Sequence, residues 1–185
     1  MARAAFDGGR LVEAFGHLGR DLASRGVFLE LAVYGGSAIM LHYIWRKGTE
    51  GVDAVLRPGS DERLLAPSAA RVAALMGLPD DWINDAVGMF TPLVEDDALF
   101  DLSGVYPDIG VPGLRVLVAK PHYLRAMKLM ALSNLDRGDR DMDDARMLAR
   151  ELRIGDVEAL QRLYASIHGE QPAAELLASF ASVLA

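Results

Sequence analysis

Residues 31–59, LAVYGGSAIMLHYIWRKGTEGVDAVLRPG, carry the pattern that decides the fold of this chain. Residues 28–34 are mostly apolar and β-prone, and the glycine-rich residues 35–37 follow them at once. Residues 37–46 have helical spacing. Glycines then break the helix, and residues 52–56 predict a second strand. The stretch is therefore expected to form a strand, a glycine turn, a helix and a second strand.

The predicted glycine turn has a possible function. A glycine turn that leads into a helix offers backbone N–H groups and the positive end of the helix dipole to an anion such as phosphate. Asp53, on the neighbouring strand, would hold a metal ion bound to that phosphate. The structural alternative is that Gly35 and Gly36 simply permit positive φ angles and close packing. Three side chains of the following helix, Ile39, Tyr43 and Trp45, are expected to face inward.

Length and composition limit the class of protein. The chain has 185 residues, of which 51% are apolar and 24% charged, and this is typical of a globular domain with a substantial core. It has no cysteine, which excludes disulfides, zinc–thiolate sites and thiol catalysis. The net charge of −7 argues against broad binding of nucleic acid. No signal peptide or transmembrane run is seen, so we expect a cytoplasmic protein.

The rest of the chain predicts an α+β fold. Helices are expected over residues 10–25, 61–76 and, briefly, 82–87, with Trp82 packed in the core. Residues 98–106 and 114–119 are expected to be strands that complete a mixed sheet of four or five strands. From Pro121 onward the pattern is helical only, with helices expected over residues 121–134, 141–152, 156–167 and 172–184. We expect one compact unit made of a core over residues 1–120 and a helical lobe over residues 121–185.

The spacing of several polar residues resembles a known active site. Residues 35–37, followed by Arg46, Thr49 and Asp53, resemble the core of the DNA polymerase β-type nucleotidyltransferase superfamily, and more closely its AbiEii-like branch. That bacterial branch, known from abortive-infection and toxin–antitoxin systems, reads Gly-Gly and then Arg-x-Thr-x-Asp-hydrophobic-Asp. In this chain Gly51 occupies the position of the first acid. The resemblance implies a nucleotidyltransferase-like sheet flanked by helices, with a C-terminal helical lobe.

The resemblance also implies an activity and its partners. The expected reaction is the Mg²⁺- or Mn²⁺-dependent transfer of a nucleoside monophosphate from an NTP to a hydroxyl of RNA or protein, in a toxin–antitoxin or phage-defence setting with an antitoxin as partner. Two carboxylates two residues apart on a strand face the same side and share a metal pair. Because only Asp53 remains of that pair, catalysis is expected to be impaired. The alternative is a nucleotide-binding or regulatory protein that kept the fold and lost the metal site.

A second group of candidate residues lies in the helical lobe. Lys128 follows Leu124 by four residues and shares its inward stripe, and a lysine rarely faces a core without a partner or ligand. The branch carries a similar lysine, and its Asp-hydrophobic-x-Asp pattern is matched from Asp141 to Asp144. The functional hypothesis is that Lys128 binds a phosphate while the aspartates position the nucleotide or act as base. The structural alternative is an ion pair between Lys128 and Asp144.

Together these observations predict one nucleotide site, in a cleft between the sheet and the helix of residues 121–134. Arg46 and Thr49 would contact phosphate there or, equally, brace their own loop. The candidate nucleotide-binding residues are Gly35, Gly36, Ser37, Arg46, Thr49, Lys128 and Asp144; the candidate catalytic residues are Asp53, Lys128 and Asp141; and the candidate metal ligand is Asp53.

Overall fold

The computed structural model of the protein describes residues 6–92, 95–134 and 139–185. In these residues the chain forms seven α-helices and a five-stranded mixed sheet, which confirms the predicted α+β class. The chain divides into two units. The first, here called the sheet unit, comprises Met1–Met89 and Phe100–Ala119, and the second, the helical unit, comprises Phe90–Leu99 and Lys120–Ala185.

The sheet unit contains all five strands. They are β1 (Leu29–Val33), β2 (Val52–Leu56), β3 (Ile83–Asn84), β4 (Phe100–Tyr106) and β5 (Leu114–Ala119). The order across the sheet is β3-β2-β1-β5-β4. Strand β1 lies at the centre, antiparallel to β2 and parallel to β5, so the strand that precedes the glycine turn is paired along both edges. Strands β2 and β3 are parallel, and β4 and β5 are antiparallel.

Three helices complete the sheet unit. They are α1 (Gly8–Ser24), α2 (Gly35–His42) and α3 (Glu62–Met76). The apolar stripe predicted for α1 is confirmed, since its leucine and phenylalanine side chains at helical spacing are all buried: Leu11, Phe15, Leu18 and Leu22. Helix α1 approaches the β4–β5 hairpin closely, because a β-carbon at Gly19 or Gly113 would overlap backbone atoms of the opposite element. Glycine at these two positions therefore sets the distance between helix and hairpin.

Two sequence predictions for the sheet unit are wrong in their details. Helix α2 begins two residues earlier than predicted and ends at His42, because Tyr43 has an extended backbone (φ −134°, ψ 131°). Tyr43 and Trp45 therefore follow the helix and stack on each other with ring centroids 5.7 Å apart. The short helix predicted over residues 82–87 is instead the two-residue strand β3, followed by a 3-10 turn.

The expected packing of Trp82 is confirmed. Its side chain is fully buried, and its indole N–H donates to the carbonyl of Ala69 in α3 at 3.0 Å. The ring also packs against Phe6, with centroids 5.8 Å apart. Trp82 thus attaches β3 to α3 by an apolar contact and a satisfied hydrogen bond.

The helical unit contains four helices in its described residues. They are α4 (Pro121–Ala131), α5 (Asp139–Glu151), α6 (Val157–His168) and α7 (Ala174–Leu184). Pro121 occupies the first turn of α4, and the side chain of Asp156 accepts from the N–H of Ala159 at 2.7 Å, as a helix N-cap does. The core of the unit is an apolar cluster: Leu129, Ala145, Ala149, Leu160, Tyr164, Leu176, Phe180 and Val183.

The helices in the part of the chain that the structure describes were compared in length and composition with what a bilayer span requires: about 20 consecutive apolar residues. None of those helices combines the length and apolar character needed to cross a bilayer.

Candidate functional site

The glycine turn lies at the junction of β1 and α2. Tyr34 is the N-cap residue, and α2 begins with Gly35, whose φ of +60° lies in the left-handed region that glycine tolerates best. The backbone N–H of Tyr34 donates to the carbonyl of Asp53 at 2.8 Å, which aligns β2 with the start of the helix. The carboxylate of Asp53 lies directly against the α-carbon of Gly35, where a β-carbon would overlap it. A glycine is therefore needed for both the backbone angle and the space that Asp53 fills.

The loop that follows α2 returns to the same turn. A β-carbon added at Gly36 would lie 2.9 Å from Arg46 Nη2 and 3.2 Å from Thr49 Oγ1. Arg46 and Thr49 therefore contact Gly36 in the first turn of α2, and Asp53 contacts the preceding residue, Gly35. The structure thus brings together in one place the candidate residues of the sheet unit: Gly35, Gly36, Ser37, Arg46, Thr49 and Asp53.

Two hydroxyl groups of this cluster already have acceptors. The Ser37 hydroxyl is fully buried and donates to the carbonyl of Tyr34 at 2.9 Å. The Thr49 hydroxyl donates to the carbonyl of Gly51 at 3.0 Å, and the backbone of Thr49 exchanges two hydrogen bonds with Phe6. These bonds favour the bracing role for Thr49 over direct donation to phosphate. Ser37 would reach an anion through its backbone N–H, since the first N–H groups of a helix have no intrahelical acceptor.

The donor groups at the turn fit one metal ion better than two. Among residues 6–92, 95–134 and 139–185, no group of three or more histidine, aspartate or glutamate side chains is placed to hold a metal. Asp53 supplies a carboxylate at the turn, and Mg²⁺ is commonly bound by one carboxylate together with phosphate oxygens. A pair of metals bridged by two protein carboxylates does not fit, because Gly51 has no side chain.

Gly51 lies in a tight place at the start of β2. A β-carbon there would stand 3.2 Å from the carbonyl oxygen of Trp82 and 3.9 Å from the side-chain amide of Asn84. The first of these distances is short for a carbon–oxygen contact, so an added side chain requires a shift of a few tenths of an ångström. The same carbonyl accepts from the N–H of Val52 at 2.7 Å. An acid at position 51 would therefore be accommodated with a small adjustment beside β3.

The candidate residues of the helical unit form a buried ion triad. The ammonium of Lys128 in α4 lies 2.5 Å from Asp141 Oδ1 and 2.9 Å from Asp144 Oδ2, both in α5. The three side chains are all nearly inaccessible to solvent. The predicted pair of Lys128 with Asp144 is present, and Asp141 joins it. With two carboxylates around one ammonium, the geometry favours a structural role in holding α4 to α5.

Sequence reasoning missed a second buried cation in α4. Arg125 is fully buried and donates from Nη1 to the carbonyl of Ala145 at 3.0 Å, while its Nε and Nη2 have no hydrogen-bond partner in the part of the chain described. Burial lowers the pKa of Arg125 to about 10. The sequence held one signal for it, because Arg125 precedes Lys128 by three residues and so shares its helix face. Arginine is usually exposed, which hides that signal.

Within each unit the structure gathers one group of candidate residues. One group surrounds the glycine turn in the sheet unit, and the other is the ion triad in the helical unit. The convergence of Gly36, Asp53 and Lys128 in one cleft stays a prediction. Comparison with protein-family models, curated proteins and solved structures finds no match for this chain.

Proposed function

We propose that the chain is a nucleotidyltransferase-fold protein of the AbiEii-like kind, which binds an NTP at the glycine turn and transfers its nucleoside monophosphate inefficiently. The observation that carries this proposal is the approach of the Arg46 guanidinium and the Asp53 carboxylate to adjacent glycines at the start of α2. The acceptor would be a hydroxyl of RNA or protein. A toxin–antitoxin or phage-defence setting, with an antitoxin as partner in the cytoplasm, belongs to the same proposal.

Each part of the turn has a matching group on a nucleoside triphosphate. The planar guanidinium of Arg46 presents paired donors to phosphate oxygens. The N–H groups of Gly36 and Ser37, at the positive end of the α2 dipole, add donors for a second phosphate. Asp53 would hold a Mg²⁺ ion delivered with the nucleotide, and that ion would neutralise charge on the leaving pyrophosphate.

The reaction would require an acceptor hydroxyl to attack the α-phosphorus. The new oxygen–phosphorus bond forms as the bond between the α-phosphorus and the α–β bridging oxygen breaks, and pyrophosphate leaves. The hydroxyl proton would pass to the Asp53 carboxylate or to water. Glycine at position 51 supplies no carboxylate to remove that proton or to orient the hydroxyl. Binding without efficient transfer is the expected result.

A second candidate function is nucleotide binding without chemistry. Two observations favour it: Gly51 supplies no carboxylate beside Asp53, and the Lys128 ammonium is buried between two carboxylates. In this case the nucleotide would regulate the contacts of the protein. The two candidates predict the same binding and differ in turnover.

Binding is tested by calorimetry with ATP, CTP, GTP and UTP in the presence of Mg²⁺. We expect Arg46→Gln to weaken binding of the preferred nucleotide at least about tenfold, because it removes a charge-assisted contact to phosphate. Arg63→Gln is the matched control, since Arg63 is exposed and pairs with Asp61 at 2.9 Å near the start of α3. No binding by the wild type, or equal binding by both variants, would contradict the proposal.

Transfer is tested by restoring the acid. We expect Gly51→Asp to increase the transfer of label from α-phosphate-labelled NTPs to bulk RNA or protein about tenfold or more, whereas Gly51→Asn, which has the same shape without the charge, leaves transfer unchanged. Retained nucleotide binding in both variants shows that the turn is intact. If Gly51→Asp binds nucleotide but gains no transfer, the binding-only function is favoured.

A further inference from the structure

A groove in the sheet unit lies beside the free part of β2. It has a volume of about 360 Å³ and is bounded by residues 54–56 of β2, by α3, and by the chain around β3. Its apolar wall comes from Leu65, Ala66 and Ala69 of α3. A cavity of this size takes a small ligand or a few residues of peptide. None of the candidate nucleotide-binding residues lines it.

The backbone of Leu56, at the end of β2, has hydrogen-bonding groups with no partner among the described residues. Asp53 accepts from Tyr34 N–H and Arg57 donates to Glu30, so the odd-numbered residues of β2 bond to the β1 side. Val52 donates to the carbonyl of Trp82, so the even-numbered residues face β3. Strands alternate in this way along their whole length. The N–H and C=O groups of Leu56 therefore point outward, to the edge occupied by β3.

Strand β3 is too short to reach those outward groups. Its pairing with β2 covers Val52 opposite Ile83 and Asp53 opposite Asn84, and ends there. Beyond that point no described strand lies opposite Leu56. A free strand edge beside a groove is the usual receptor for an added peptide strand, whose backbone hydrogen bonds supply affinity. The groove thus lies where a longer β3 would continue to pair with β2.

The described charged residues that line the groove are all acidic. Glu62, Asp80 and Asp85 are exposed at its margin, and the described lining residues include no lysine or arginine. None of these three carboxylates forms an ion pair with any residue in the described part of the chain. Three carboxylates around one groove attract a basic ligand and repel phosphates, which argues against a nucleic acid here.

We propose that this groove binds a basic segment of a partner polypeptide in an extended conformation, which pairs with β2 beyond the end of β3. Alternate side chains of the added strand would face the apolar wall of α3, and the intervening lysines or arginines would reach the acidic margin. The outward groups of Leu56 would hydrogen-bond to its backbone. This interaction goes beyond nucleotide binding and does not depend on it.

A synthetic peptide tests the mode of binding. The probe is a short blocked peptide that alternates valine and arginine, and its control carries the same side chains with N-methyl groups on alternate backbone nitrogens. We expect saturable binding of the first, with slower hydrogen exchange at the Leu56 amide, and at least about tenfold weaker binding of the second. Equal binding of both peptides, or no saturable binding of the first, would overturn the proposal.

Variants of the acidic margin test the charge contribution. We expect the triple variant Glu62→Gln, Asp80→Asn, Asp85→Asn to weaken binding of the unmethylated peptide about tenfold at low salt, with the effect shrinking as salt increases. The control is Asp143→Asn in α5, an exposed acid of the helical unit. If the triple variant and the control bind the peptide equally, the acidic margin is not the receptor and the proposal fails.

Discussion

The glycine turn and the ion triad use the same types of residue for different ends. At the turn, the charged side chains of Arg46 and Asp53 approach the backbone at the start of a helix, on glycines that leave them room. In the triad, Lys128 and two aspartates approach one another in the interior. The first N–H groups of a helix are suited to an anion, which supports the recognition role proposed for the turn, whereas charges that enclose each other in the interior indicate structure. Burial and direction, more than residue type, separate the two roles.

The largest expected effect tests the structural role of the triad. Lys128→Met is expected to lower the free energy of unfolding by about 3–5 kcal/mol, because it leaves Asp141 and Asp144 buried without their cation. Urea titration followed by circular dichroism measures the change. If the free energy of unfolding falls by less than about 1 kcal/mol and nucleotide binding is abolished, Lys128 has a role in nucleotide recognition and not in structure.

The turn is tested by adding a single methyl group. Gly35→Ala is expected to cost about 2–4 kcal/mol, since it places a β-carbon at positive φ and against the Asp53 carboxylate. Gly77→Ala is the matched control: its φ of +62° is nearly the same as the +60° of Gly35, and nothing lies within 4 Å of the added carbon. Its cost is expected to be only the backbone term, about 1–2 kcal/mol. Equal losses of unfolding free energy would mean that Asp53 does not restrict the turn.

An exposed ion pair gives a contrast with the buried triad. Arg71 Nε and Nη2 each lie 2.7 Å from an oxygen of Asp21, and hydrogen bonding to Arg71 lowers the pKa of Asp21 from 3.8 to about 2. Because the side chain of Arg71 is 41% exposed, we expect Asp21→Asn to cost only about 1 kcal/mol at neutral pH.

The pH dependence of this pair has a definite sign. A carboxyl with a lowered pKa in the folded state contributes stability that is fully present above the unfolded value of 3.8 and is lost as the pH falls toward 2. The difference in unfolding free energy between wild type and Asp21→Asn is therefore expected to shrink over that interval. A constant difference from pH 6 to pH 2 would contradict the assigned cause.

The smallest expected effect concerns the other buried cation. Arg125→Met is expected to change the unfolding free energy by less than about 1 kcal/mol in either direction, because the loss of one hydrogen bond to Ala145 is offset by relief of a buried, incompletely bonded guanidinium. The same urea titration as for Lys128→Met gives a direct comparison of two cations three residues apart. A cost equal to that of Lys128→Met would show that Arg125 has a strong anionic partner.

The sequence predicted most of the sheet and part of the candidate site. Strand β2 was predicted residue for residue, because glycines before it and a proline after it bound a run of β-prone residues. Strand β3 was missed, since two residues are too few to show a period and their conformation depends on pairing with β2. The end of α2 was missed because Tyr43 and Trp45 happen to continue a helical spacing.

For the site, sequence spacing identified residues that are in contact in the structure, but it did not show whether each contact serves binding or stability. The turn residues were grouped by a pattern within 19 residues of chain, 35–53, so local geometry was enough to bring them together. The second partner of Lys128 depended on how α4 and α5 pack, which sequence spacing does not give. The outward edge of β2 depended on the length of β3, a property of the folded sheet alone.

The two units are made of interleaved segments of the chain, and this affects the order in which they can fold during synthesis. Residues 90–99 belong to the helical unit, although β4 and β5 of the sheet unit follow them. The Tyr123 hydroxyl of α4 donates to the Glu95 carboxylate at 2.6 Å. Residues 90–99 are therefore synthesised before α4, the helix that they contact. Strands β4 and β5, of which β4 forms one edge of the sheet, also leave the ribosome after residue 99. A fragment that ends at residue 120 would therefore contain residues 90–99 without the helices that they belong with. Neither the sheet unit nor the helical unit is a continuous segment of the polypeptide.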